Sequence, residues 1–155
     1  MEALLNSFSL VRKVSCLIAF ALVFISSASI AGEVAGTVSL ATGTVTATSV
    51  SGESRALTKG SEVFAGDRIA TASKSICSLK MIDDGKIIMR ENSEIVVEEY
   101  SFKGQDDDSG VIELVKGGFR GLTGIIGKTD HDAYTVKSDV AVLGIRGTDY
   151  ILVKE

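Results

Sequence analysis

His131 is the only histidine in the chain, and it lies between two carboxylates in Asp130-His131-Asp132. An imidazole titrates near neutrality and commonly serves as general base to a hydroxyl nucleophile. Ser109 and Ser138 flank it along the chain, but no serine stands in a G-x-S-x-G turn and nothing marks out an oxyanion hole. The pattern assigns no catalytic residue, and a histidine between aspartates in a polar turn reads as exposed. The glycine-rich segment 117–129, GGFRGLTGIIGKT, ends in Gly127-Lys128-Thr129. A phosphate loop would then need glycine at 122, where Leu122 stands. The segment is expected to be a flexible or tightly bent connection. Zinc sites combine several Cys, His and carboxylate ligands, whereas Cys77 and His131 are the only two such soft ligands past residue 31. Asp106, Asp107 and Asp108 are consecutive, so they point in different directions and lack the D-x-D-x-D-G spacing of a calcium loop. No metal or cofactor is expected, and the acidic tip at 105–110 reads as a mobile solvated loop.

The elements that position these residues begin after an address segment. Arg12 and Lys13 precede the apolar run VSCLIAFALVFI at 14–25, and Ser29-Ile30-Ala31 offers small residues for cleavage after Ala31. Residues 1–31 therefore read as a signal peptide. An uncleaved membrane anchor would need about 20 apolar residues, reached only by extending through Ser26, Ser27 and Ser29. The expected location is the bacterial periplasm or the exterior, with membrane contact only if this segment is retained. Removing Glu2, Arg12 and Lys13 from the 16 basic and 20 acidic residues leaves a net charge of −5, which disfavours nucleic acid. Cys77 is then the only thiol, set between Ile76 and Leu79, so an internal disulfide is impossible and a buried inert thiol is expected.

Residues 32–155 carry 35 Val, Ile and Thr against 16 Leu and Ala, and all 16 glycines of the chain punctuate short apolar runs. No long segment shows a 3.6-residue apolar period, so helix should be scarce. The expected fold is all-β: a single domain of about eleven short strands, a twisted β-sandwich or a short β-solenoid. In 76–82 the alternation sets Cys77, Leu79 and Met81 on one face. Asp83-Asp84-Gly85 is the best hairpin turn.

Several motifs recur in a fixed order. LTKGSEVFAGDRIAT at 57–71 contains Gly66, Asp67 and Thr71; Asp84-Gly85 and Asn92-Ser93 mark turns. Leu114-Val115-Lys116-Gly117 and a strand at Val136 follow, and VLGIRGTDYILV closes the series with Gly144, Arg146, Gly147, Thr148 and Tyr150. This ordered set resembles the FecR domain family, over roughly residues 36–153. The resemblance implies a non-enzymatic binding or sensing module of the cell envelope, docking an envelope or outer-membrane protein or an envelope ligand. A full sensor of the family joins a cytoplasmic anti-sigma segment, one membrane span and a periplasmic domain. The 13 residues before the apolar run are too few for the first part, so a standalone domain is expected. The family domain continues past this motif, so a chain ending at Glu155 reads as a minimal or a truncated domain.

A strand near 148–153 at a sheet edge would recruit a partner strand through unpaired backbone groups. Arg146 is the candidate partner contact; its guanidinium fork suits a carboxylate, or else braces the bend by bonding turn carbonyls. The alternative function is a secreted carbohydrate-binding or adhesive module; such sites expose stacked aromatics, and this chain has no Trp, while Tyr100, Phe102 and Phe119 are few for the task.

Overall fold

The computed structural model describes residues 32–145 and 149–154. Arg146, Gly147 and Thr148, together with the signal-peptide reading of residues 1–31, lie outside the described residues. The strands are β1 (Val34–Thr42), β2 (Val45–Thr48), β3 (Ser54–Ala56), β4 (Glu62–Phe64), β5 (Arg68–Thr71) and β6 (Ile76–Met81). They continue with β7 (Lys86–Met89), β8 (Glu94–Ser101), β9 (Ser109–Leu122), β10 (Tyr134–Lys137), β11 (Val142–Gly144) and β12 (Asp149–Lys154). One short helix, α1 (Ile125–Thr129), follows β9. The all-β expectation holds, with twelve strands among the described residues where about eleven were expected.

All twelve strands join one sheet curled into a half-barrel, ordered β3-β2-β5-β8-β9-β7-β6-β1-β4, with β10, β11 and β12 added beside β9. This single curled sheet is what the sandwich-or-solenoid alternative resolves to. Strand β9 holds the two wings together. Its first part pairs with β8 and β10, and its second part with β7 and β12. Gly117 lies between the two parts with φ 72°, where an added Cβ would meet Asn92 O at 2.6 Å. Only glycine takes that backbone conformation without strain while its neighbour approaches so closely.

Alternation builds the core. Cys77, Leu79 and Met81 of β6 point inward as the pattern requires, and Ile95 and Val97 do so from β8. Burial pushes the Cys77 thiol up to about 11, so it is a packed apolar group and not a nucleophile. The alternate residue Ser78 is also buried, and a hydrogen bond of 3.0 Å with Ser39 of β1 satisfies its hydroxyl there. Each large side chain fully buried this way contributes about 1.5–3 kcal/mol.

The glycine-rich segment departs from expectation. Residues 117–122 are not a bent connection but the second part of β9, and 125–129 form α1. The glycines are strand residues over which partner side chains lie: a Cβ on Gly121 would meet the Tyr150 ring at 2.1 Å. The acidic tip is solvated as expected, with residues 103–107 exposed, and is braced from within. The Asp108 carboxylate accepts backbone N–H bonds from Lys103 (2.6 Å), Gly104 (2.8 Å) and Gln105 (3.1 Å).

Candidate docking edge

Strand β12 is Asp-Tyr-Ile-Leu-Val-Lys, rich in the β-branched and aromatic residues that suit a pleated surface. It runs antiparallel to β9 in the register Asp149↔Leu122 to Lys154↔Gly117. Among the described residues it pairs with no other strand, so its second side is a sheet edge. At six residues it is longer than the other single-partnered strands β3, β4 and β11, each of three.

The two faces of β12 differ. Tyr150 and Leu152 pack against the core, whereas Ile151 and Val153 point outward and are 69% and 66% exposed. Asp149 on the outer face is ion-paired to Arg120 of β9, which holds the aspartate carboxyl below its ordinary range and raises the guanidinium. That pair is solvent-exposed, so it aligns strands more than it stabilises them. Proteins usually blunt such edges with inward charges, proline or a bulge. The chain has no proline, and the charges of β12 stand only at its ends. Nearby β11 adds exposed Val142 (68%) and Leu143 (41%) at a second edge.

The inner face is anchored by a tyrosine cluster. Tyr150 Oη lies 2.7 Å from Tyr134 Oη, and the Tyr150 ring meets Phe119 edge-on at 5.9 Å. Tyr134 meets Tyr100 edge-on at 6.4 Å, and Tyr100 donates its hydroxyl to Asp83 at 2.7 Å. Burial raises the phenol pKa of all three tyrosines, that of Tyr134 to about 12, so they remain neutral donors at physiological pH. Asp83 is fully buried and also accepts the N–H of Gly85 (3.0 Å) and of Ile126 (3.3 Å). It thereby ties the β6–β7 turn to the start of α1.

The remaining motif residues are scattered through this frame as structural fixtures. Gly66 has φ 87°, and its N–H bonds Val97 O at 2.6 Å. Asp67, 2% exposed, is ion-paired with Arg55 and accepts the Phe64 N–H at 2.8 Å. Thr71 bridges to the Ser93 turn, donating to Ser93 O (3.2 Å) and accepting the Ser93 N–H (3.0 Å). Asp84 takes φ 63° in the hairpin turn, with Gly85 beside it closing onto Met81 at 2.9 Å. Gly144 is exposed in β11, and a Cβ there would only touch His131 O at 3.8 Å. The fold therefore brings Tyr150 to the candidate edge but leaves Gly66, Asp67, Thr71, Asp84 and Gly85 elsewhere in the sheet.

Two sequence expectations gain definition. His131 is exposed as its acidic turn implied, with Nδ1 2.6 Å from Gly127 O. Tyr100 and Phe119, candidate stacking aromatics of a carbohydrate site, are each 1% exposed in the core and present no ring face to a sugar. Sequence reasoning missed Asp83 and Tyr134. The buried member of Asp83-Asp84 is indistinguishable from its exposed neighbour until the hairpin is built.

Residues 67–155, more than half of the 155-residue chain, match the family described as FecR protein. A solved structure described as "Cell surface anchoring domain" is 24% identical with a TM-score of 0.40, covering 41% of this chain and 83% of that chain. No curated protein matches the chain.

Proposed function

The chain belongs to the FecR family, and from that premise we propose that it is a non-enzymatic, exported envelope module that captures a partner protein by strand addition along β12. The family is one of signalling and regulation, which fits a binding role rather than catalysis. One observation carries the reading: a six-residue strand that pairs on one side only among the described residues, with Ile151 and Val153 exposed on its outer face. In strand addition the backbone hydrogen bonds hold the peptide, and alternate side chains select it. The outward pair on β12 selects an extended segment with apolar residues at every second position. Cleavage after Ala31 and release to the periplasm complete the proposal.

A photo-reactive residue in place of Ile151 tests it in cells, with the same residue in place of Val50 as control. Val50 is 82% exposed in the turn after β2. A discrete adduct with a second protein is expected from position 151 and none from position 50, and the adduct should vanish when Val153→Lys is added. No adduct at 151, or adducts that ignore Val153→Lys, would overturn strand addition at this edge.

A further inference from the structure

A groove of about 460 Å³ opens between the β8–β9 loop and α1, away from the β12 edge residues. Its volume lies within the range of small-molecule sites. The floor is apolar: Phe102 and Ala133 pack against the core, Ile126 is buried, and Ile125 stays 43% exposed. Its polar wall joins Gln105 and Thr129 to three carboxylates, Asp106 and Asp108 from the loop and Asp130 from the end of α1, so every charged residue that lines it is acidic. The three carboxylates are not equivalent. Asp108 is spent on the loop amides, and Asp130 Oδ1 accepts the Asp132 N–H at 2.9 Å. Asp106 has no hydrogen bond or ion pair among the described residues.

We propose that this groove binds a small organic cation with an apolar body, its amine or guanidine set between Asp106 and Asp130 and its body on Ile125 and Phe102. Charge complementarity decides the class. An anionic or neutral apolar ligand would meet the same floor without pairing the carboxylates, whereas a cation pairs with them. A hydrophilic polyamine would satisfy the carboxylates and leave Ile125 uncovered. The module thus carries a small-molecule site independent of partner capture by β12.

Nuclear magnetic resonance titration of the folded domain tests this with three probes: phenethylamine, its anionic analogue hydrocinnamate, and putrescine. Phenethylamine is expected to shift the Phe102, Ile125, Ile126 and Ala133 signals saturably, with the other two probes weaker. Exposed ion pairs are individually modest, so Asp106→Asn with Asp130→Asn should weaken phenethylamine about tenfold. Both asparagines preserve local acceptors, and unchanged spectral dispersion would confirm the fold. Equal binding of hydrocinnamate, undiminished binding by the double variant, or no shift at these residues would each overturn the assignment. None of these outcomes bears on adducts at position 151.

Discussion

Asp83→Ala lowers the free energy of unfolding by about 3 kcal/mol or more, measured by denaturant titration. The carboxylate is fully buried and accepts from the Tyr100 hydroxyl and the Gly85 and Ile126 amides. Alanine leaves these donors without a partner in a space too dry to resolvate them, and a buried unsatisfied donor costs about 1–3 kcal/mol. The backbone carbonyl of Asp83 still accepts the Ile125 N–H at 2.9 Å, so the start of α1 keeps one of its ties. Tyr100→Phe provides the contrast, because it removes one donor and leaves the carboxylate with its two amides. It should cost about 1–2 kcal/mol. A loss below 1 kcal/mol for Asp83→Ala would show that the carboxylate does not organise this corner.

Gly121→Val detaches β12. A Cβ on Gly121 would lie 2.1 Å from Tyr150 Cζ and 2.3 Å from its hydroxyl oxygen, so the ring cannot remain where it is. Displacing it forfeits the edge-on contact with Phe119 and the hydrogen bond to Tyr134, which fix the inner face of the strand. The expected loss is about 3 kcal/mol in stability, together with disappearance of the partner adduct at position 151. Ile151→Lys separates the two effects. That side chain is 69% exposed, so its replacement should change stability by no more than about 0.5 kcal/mol while abolishing capture. If Gly121→Val left both stability and capture intact, β12 would not be held by the Tyr150 contact.

The parts of this architecture legible in the sequence are those in which one residue's chemistry decides its own conformation. Asp84-Gly85 turns because aspartate and glycine tolerate a left-handed backbone, and Cys77, Leu79 and Met81 mark an inward face by alternation alone. The edge strand was readable for the same reason, since Tyr150 to Val153 favour a pleated surface. Gly117–Leu122 was not, because Phe119 is its one large buried side chain and the space over Gly121 is filled by Tyr150 from the neighbouring strand. With glycine at three of its six positions, the segment shows no alternation of its own. Helix α1 is five residues long, too short to display a 3.6-residue period. The buried carboxylate is a purely tertiary fact. Asp83 and Asp84 differ only in which side of the turn each faces.

The edge itself can be measured through amide hydrogen exchange along β12, residue by residue, in the free protein and with the cross-linked partner added. Alternate amides of an edge strand bond inward to β9, and those between them face solvent. Strand capture predicts that the inward set is protected in both samples and that the outward set exchanges freely alone and slows when the partner binds. Outward amides that are already protected in the free protein, or that exchange unchanged in the complex, would contradict a docking edge at β12.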